Sequence, residues 1–313
     1  MRWSEDIVGI DFADNGLVAT RVAAGNPGPL RLLNAGWVQV DPAASDREWA
    51  AALRQLWRTA GLKTRTVCVS LRSRSALLRY FRYPALDPVE LASALGLEAE
   101  DSLQLPRGEI ALDWHLSRPL PPSGTKVRSD VEGLLVAVPR KHLEQQLHIL
   151  RLAGLFPVAV DAAPAALANL HAAVAPDASE RAAVCLLQLA AHRADIAVVF
   201  GEQGLYARTL YPRGDSWEAS LGPLMEGVQD ALKYYVFKLG GQTVRRLLVG
   251  GTLPAQADFL AGLQQKAGVP VEKWDPAARL VPGSAHVRRL LAEAGRPPLE
   301  TSLGLALRRF DDE

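Results

Sequence analysis

The chain has 313 residues, of which 49% are hydrophobic and 22% are charged. This length and composition allow a large buried core, exclude a disordered chain, and suggest two domains or one closely duplicated domain. The formal net charge of +1 gives no overall field that would attract nucleic acid or an anionic membrane. No apolar segment reaches the ~20 residues needed to span a bilayer, so we expect a cytoplasmic protein without direct membrane insertion.

The start of the chain predicts a β-hairpin, a further strand and a capped helix. In order, we predict strands over 7–11, 17–22 and 30–40, a helix over 45–59 and a buried strand over 66–71. Ser45 and Glu48 have the spacing of a capping box, in which each side chain bonds to the backbone N–H of the other residue.

An α/β module interrupts this first half. Its predicted elements are a strand over 77–83, a helix over 87–98 capped by Asp87, a strand over 110–116, an exposed loop over 119–130, a strand over 133–138 and a helix over 141–152 ended by Gly154. Near its start, four arginines interleave with apolar residues: Arg72, Arg74, Arg79 and Arg82. This alternation favours an amphipathic strand over an anion-binding patch.

The second half repeats the hairpin pattern of the first. After a strand over 157–160 and a helix over 164–173, we predict a hairpin over 183–200, a strand over 204–210, a long helix over 217–239, a strand over 244–249, a helix over 258–267, a strand over 269–272 and a helix over 302–309. Hairpin, strand and helix thus follow one another twice. This repetition predicts a duplicated α/β fold with a nucleotide-sized cleft between the halves.

Segments along most of the chain resemble the PilM-like proteins of type IV pilus assembly. In order they include IVGIDFADNGLVATRV, RYFRYPALDPVELASALGLEAEDSLQLPRGEIALDWHL, LLVAVPRKHLEQQLHILRLAGLFPVAVDAAPAALANL, DALKYYVFKLGGQTVRRLLVGGTLP and TSLGLALRRF. The resemblance extends more distantly to the cell-division protein FtsA. It implies an actin-like (ribonuclease H-like) duplicated fold, with subdomain 1A over 1–72 and 157–181, an inserted FtsA-type subdomain 1C over 73–156, and subdomains 2A and 2B over 182–313.

The resemblance also implies ligands and a partner. Proteins of this family hold a nucleotide between the halves, gripped by the two hairpin turns and an adenosine loop. They bind the short N-terminal cytoplasmic tail of PilN, an inner-membrane protein, in a groove beside subdomain 1C, which would make this chain peripheral to the inner membrane through its partner. We hypothesise that the apolar edge over 77–84 and the wall of subdomain 1A form this groove here.

The first hairpin turn departs from the family pattern in part. Asp11 stands at the position of the acid, which makes it the candidate Mg²⁺ residue. Ala13 replaces the glycine two residues later, and Val18 replaces the polar residue that reaches the phosphates. Asn15 and Gly16 can still form a tight turn. A role of Asp11 as a simple hairpin cap is the alternative.

The second hairpin turn departs further. Gln188 replaces the acid on the Mg²⁺ side, and Ala190 adds a Cβ where a phosphate would lie. Arg193, at the tip of the turn, could neutralise a phosphate, but we interpret it as a solvated loop charge. Ala163 replaces a carboxylate that orients the attacking water in actin-like ATPases. Asp161, two positions earlier on a strand end, is expected to point elsewhere.

The adenosine loop of the family corresponds to Gly250, Gly251 and Thr252, which follow a strand and precede a helix. Glycines there suit backbone packing against a purine, although a plain tight turn explains them equally well. The resemblance thus implies ten nucleotide-binding candidates if the site is retained: Asp11, Ala13, Asn15, Gly16, Gln188, Ala190, Arg193, Gly250, Gly251 and Thr252.

We therefore expect a scaffold that binds a PilN-like tail, with weak or absent binding of ATP and Mg²⁺ and no catalytic residues. One alternative is an ATP-binding switch or ATPase of the same machinery, with Asp11 as the sole metal-side acid and Arg193 compensating. Another is the equivalent platform protein of an MSHA pilus or a type II secretion system. A sugar kinase is disfavoured, because no catalytic aspartate with a substrate-side glycine loop lies between the halves.

Overall fold

The computed structural model describes residues 7–13, 15–25, 28–116, 130–174, 182–190, 193–201, 203–211, 217–251, 257–293 and 295–308. Three parts of the expectations lie outside these ranges: residues 119–129 of the predicted exposed loop, Thr252 of the adenosine loop, and position 309 of the last predicted helix.

The strands and helices follow the predicted order. The strands are β1 Val8–Ala13, β2 Gly16–Gly25, β3 Gly28–Gln39, β4 Thr66–Ser70, β5 Leu77–Tyr83, β6 Ile110–Leu116, β7 Val131–Pro139, β8 Phe156–Asp161, β9 Ala183–Leu189, β10 Ala194–Phe200, β11 Gln203–Leu210, β12 Val244–Gly251, β13 Val271–Lys273 and β14 Val281–Pro282. The α-helices are α1 Asp46–Thr59, α2 Pro88–Leu103, α3 Arg140–Ala153, α4 Ala163–Val174, α5 Trp217–Lys233, α6 Ala257–Ala267, α7 Ala285–Leu291 and α8 Glu300–Ala306.

Three sheets organise the chain. The first has the strand order β14-β3-β2-β1-β4-β8, the second β11-β10-β9-β12-β13, and the third β5-β7-β6. In the first sheet β1 pairs antiparallel with β2 and parallel with β4. In the second sheet β9 likewise pairs antiparallel with β10 and parallel with β12. The two larger sheets repeat one arrangement, which confirms the predicted duplication.

Local signals in the sequence set several element ends. Ser45 and Glu48 form the predicted capping box before α1, and Asp87 forms a second one with Glu90 before α2. Gly154 follows α3 with a φ of 75°, in the left-handed region that glycine enters without steric cost. The hydrogen bonds of the two capping boxes satisfy backbone N–H groups that the start of a helix otherwise leaves unpaired.

The two larger sheets share a core that contains α4 and α8. Leu167 of α4 and Leu303 of α8 are buried together with side chains from both sheets. A Cβ added to Gly9 of β1 would lie 1.9 Å from the carbonyl oxygen of Ser302. The absence of a side chain at Gly9 therefore lets α8 pack directly on β1.

The third sheet and α2 form a smaller module with a core of its own around Phe81, Leu91 and Leu135. This module does not include α3, although α3 lies inside the predicted insertion. Ile149 and Leu150 of α3 are buried in the core between α1 and the first sheet. The return helix of the insertion is thus part of the packing of the first sheet.

Two features of the second half differ from the prediction. Strand β14 and helix α7 were not predicted, and β14 pairs parallel with β3 at the outer edge of the first sheet. The predicted helix over 217–239 ends as α5 at Lys233 and continues as a π-helical turn over Tyr234–Lys238. A two-residue strand carries too little periodicity to be recognised from sequence.

Candidate functional site

Both predicted hairpins form, and their turns lie at the cleft between the two larger sheets. In the first, Ala13 pairs with Gly16, which places Asp11 opposite Val18. In the second, Gln188 pairs with Asp195, and the N–H of Ala190 donates to the carbonyl of Arg193 over 2.8 Å.

Asp11 is buried at the end of β1, with 2% of its surface exposed. Its Oδ1 accepts a hydrogen bond of 2.8 Å from the hydroxyl of Ser70, at the end of the neighbouring strand β4. The same hydroxyl oxygen accepts a 2.8 Å bond from the N–H of Phe12. Asp11 is thus held by the first sheet itself, in contrast to a carboxylate that merely caps an exposed turn.

The interpretation of Arg193 as a solvated loop charge is wrong, because its side chain is buried, with 7% of its surface exposed. Its Nη2 lies 3.3 Å from both carboxylate oxygens of Asp11. Its Nε lies 2.8 Å from Oδ2 of Asp195. One guanidinium therefore contacts a carboxylate of the first half and a carboxylate of the second half. These two ion pairs compensate for the cost of removing the charge of Arg193 from water.

The electrostatics of this cluster are those of one cation between two acids. Burial raises the pKa of Asp195, and the guanidinium of Arg193 and the hydroxyl of Thr209 oppose that rise. Thr209 donates to Oδ1 of Asp195 over 2.7 Å. Both oxygens of Asp195 are therefore bonded within the second half.

Gln188, at the position to which the resemblance assigns a second acid, is buried in strand β9. Its Oε1 accepts a 2.8 Å hydrogen bond from the hydroxyl of Thr301, at the start of α8. The amide of Gln188 carries no charge, so it does not supply the negative charge of the missing carboxylate. It instead connects β9 to α8.

Gly250 and Gly251 end strand β12 beside Gln188 and Leu189 of β9. Gly251 has a φ of +93°, and a Cβ there would lie 2.0 Å from the carbonyl oxygen of Leu189. Backbone geometry alone therefore requires this glycine. The N–H of Gly251 donates over 3.2 Å to Oε1 of Glu300.

Glu300 was not singled out from the sequence, because the last helix was predicted to begin only at Ser302. It is buried at the start of α8, and this burial raises its pKa, although hydrogen bonds from backbone N–H groups oppose the rise. Its Oε2 is buried without a hydrogen-bond partner among the described residues. An acid immediately before an apolar helix is the one sequence signal that could have indicated it.

At the start of α4 lies Ala163, where the resemblance implies a carboxylate. Ala163 lines a cavity of about 180 Å³ together with Arg193 and Asp195. Asp161 points elsewhere, as predicted, because its carboxylate pairs with Arg308. Burial raises the pKa of Asp161, and the charge of Arg308 opposes that rise.

The residues present do not fit ATP with Mg²⁺. Arg193 engages both oxygens of Asp11, and Glu300 engages the N–H of Gly251.

The duplicated sheets, the facing hairpins and the inserted module give the chain an actin-like fold. The structure is similar to the PilM-PilN type IV pilus biogenesis complex, with a TM-score of 0.77 and 22% identity over 97% of this chain and 98% of that chain. The family model of the type IV pilus assembly protein PilM matches residues 30–221. The chain therefore belongs to the PilM family of type IV pilus assembly proteins.

Two other solved structures show weaker similarity. A protein from Bacteroides thetaiotaomicron, with an actin-like ATPase fold and unknown function, has a TM-score of 0.49 and 13% identity, with 88% of this chain and 93% of that chain covered. The cytoplasmic domain of EpsL, an inner membrane component of the type II secretion system of Vibrio cholerae, has a TM-score of 0.48 and 15% identity, with 83% and 94% covered. No curated protein matches the sequence. Within the described ranges, no helix is both long and apolar enough to cross a membrane.

Proposed function

We propose that this chain is a cytoplasmic scaffold of type IV pilus assembly, which binds the N-terminal tail of a PilN-like inner-membrane protein along an open sheet edge. Membership of the PilM family and the similarity to a PilM-PilN complex support the type of partner. The observation that carries the proposal is the exposed apolar edge at β8. Such a tail would hold the chain at the inner membrane.

Strand β8 forms one edge of the first sheet and pairs only with β4 in the described part of the chain. Its side chains include Phe156 and Val158, which are 64% and 50% exposed. Charge, proline or a covering element protects most sheet edges, and Pro157 removes one backbone donor from β8. On either side of that proline, the exposed Phe156 and Val158 offer apolar surface to an extended peptide.

Strand β6, an edge of the third sheet, borders the same region. Helix α3 contacts both β6 and β8. The charge of Asp113 on β6 contributes to the raised pKa of Asp161 on β8, so these two side chains lie within electrostatic reach of each other. We propose that the tail lies along β8, in a groove bordered by β6 and α3.

The edge over 77–84 does not suit the role predicted for it. Strand β11 of the second half lies against β5, and Tyr80 of β5 packs on the core of the second sheet. Leu77 and Leu78 line the cavity next to Arg193. The tail-binding edge that we propose is therefore β8, on the wall of the first sheet.

Point variants test this groove better than deletion of residues 73–156, because deletion would remove Ile149 and Leu150 from the core of the first sheet. Fluorescence anisotropy with a labelled peptide of the PilN-like tail from the same organism gives the Kd. We expect Phe156→Asp and Val158→Asp each to weaken binding at least ~10-fold, since each places a charge in an apolar contact. The matched control is Phe237→Asp, at a phenylalanine that is 79% exposed in the second half. Unchanged affinity in both β8 variants would refute the groove.

A further inference from the structure

We infer that this chain closes its cleft with its own side chains, because Arg193 engages the carboxylate of Asp11 and Glu300 engages the N–H of Gly251, two groups that a bound metal and nucleotide would need. The inference goes beyond the tail-binding scaffold, because it concerns what holds the two halves together. It rests on the contacts of two sites in the cleft: Asp11 and Gly251.

The cation position is taken by a guanidinium. A carboxylate can hold Mg²⁺, directly or through water, only while its oxygens are available. In this chain Nη2 of Arg193 lies 3.3 Å from Oδ1 and 3.3 Å from Oδ2 of Asp11, and Ser70 donates to Oδ1 as well. A divalent cation would have to displace a fixed positive charge that is attached to the chain.

The adenosine side is taken by a carboxylate. The N–H of Gly251 belongs to the loop that the resemblance assigns to the adenosine, and Glu300 already accepts from it at 3.2 Å. Glu300 also lies close to this loop, since a Cβ on Gly250 would be 3.0 Å from its Oε1. A purine packed on these glycines would therefore meet the buried carboxyl group of Glu300.

The guanidinium also links the halves. Arg193 precedes β10 of the second sheet, and Asp11 lies on β1 of the first sheet, 182 residues earlier. Both side chains are buried, so the loss of either partner would leave an uncompensated charge out of water. In other actin-like proteins a nucleotide lies between the halves, whereas here an ion pair encoded in the chain spans the same gap.

Two measurements on the full chain test this inference. Isothermal titration of the wild type with Mg·ATP, up to millimolar concentration, should give no saturable heat. Arg193→Gln should lower Tm by about 5–10 °C, because it leaves Asp11 and Asp195 buried together. The matched control is Arg82→Gln, which breaks an exposed ion pair with Asp130 and should lower Tm by less than about 2 °C.

The double variant Asp11→Asn/Arg193→Gln keeps the inference testable if Arg193→Gln does not fold. Removing both charges should recover at least half of the Tm lost in Arg193→Gln or, if that variant does not fold, should itself fold. A double variant at least as damaged as Arg193→Gln would overturn the linking role. Saturable Mg·ATP binding to the wild type at micromolar concentration would overturn the filled site. Tail binding to the β8 variants tests only the groove. The proposed tail-binding groove and the proposed filled cleft can therefore fail independently of each other.

Discussion

Nη2 of Arg193 lies 3.3 Å from both carboxylate oxygens of Asp11, across the boundary between the two halves of the chain. This contact changes the role that each residue is assigned. Asp11 alone resembles a retained metal ligand, and Arg193 alone resembles a surface charge on a turn. Together they form a buried ion pair between the two halves. This ion pair can hold the halves together without a bound nucleotide.

Ser70→Ala should destabilise the protein by about 1–3 kcal/mol. The hydroxyl of Ser70 donates to Asp11 and accepts from the N–H of Phe12, so its loss leaves the buried N–H of Phe12 without this acceptor and removes one hydrogen bond from Asp11. Urea denaturation measures the change. Ser102→Ala, which removes only an exposed bond to Arg79, should change stability by less than about 0.5 kcal/mol. Equal effects of the two variants would contradict this view of Asp11.

Gly304→Ala should cost about 3 kcal/mol or more, because α4 and α8 touch at this glycine. An added Cβ would lie 1.8 Å from the carbonyl oxygen of Ala166, so the helices would have to separate. Gly108→Ala is the matched control, since a Cβ there meets nothing within 4 Å. If chemical denaturation showed equal stability for the two variants, the close packing of α8 would be incorrect.

Glu300→Gln should flatten the dependence of stability on pH. Burial raises the folded-state pKa of Glu300 above the reference value of 4.5, so the folded state binds its proton more tightly than the unfolded state. The resulting stabilisation is complete below pH 4.5 and is lost as pH rises through the folded-state pKa.

Unfolding of Glu300→Gln followed from pH 4.5 to pH 8 checks this sign. The variant should lose less stability than the wild type over this interval, because glutamine can still accept from Gly251 and does not ionise. Glu226→Gln, at an exposed residue paired with Lys266, is the control. A variant as pH-sensitive as the wild type would show that Glu300 does not contribute.

Gln188→Asp should not create a nucleotide site, even though it restores the acid that the family carries. Arg193 and Glu300 would still occupy the cleft, and the new carboxylate would be buried beside a single donor, Thr301. We expect a loss of about 1–3 kcal/mol in stability and no saturable heat with Mg·ATP. Measurable ATP binding by this single variant would mean that the substitution at Gln188 alone had silenced the site.

The sequence predicts the elements of this fold well where the signals are local. Strand β5 and strand β6 have the predicted bounds, and the capping box at Ser45 forms as expected. Each of these depends on neighbours within a few residues, such as Pro84 after β5. Hydrophobic alternation and capping therefore carried this part of the prediction.

The cleft was predicted less well, because its contacts join distant parts of the chain. Pairing along the hairpin does not show that Arg193 meets a carboxylate 182 residues earlier. In the same way, nothing near Glu300 indicates that Gly251 lies against it. The family resemblance supplied the positions of the turns, whereas the partners of Arg193 and Glu300 depend on tertiary packing between distant parts of the chain.

Strand β14 has a consequence for the order in which the chain can fold. Val281 and Pro282 complete the outer edge of the first sheet, and α8 covers the face of β1 that Gly9 leaves open. A nascent chain that has reached only residue 182 therefore lacks both pieces. The N-terminal half emerges from the ribosome first, yet its native packing must wait until the residues of β14 and α8 have been translated.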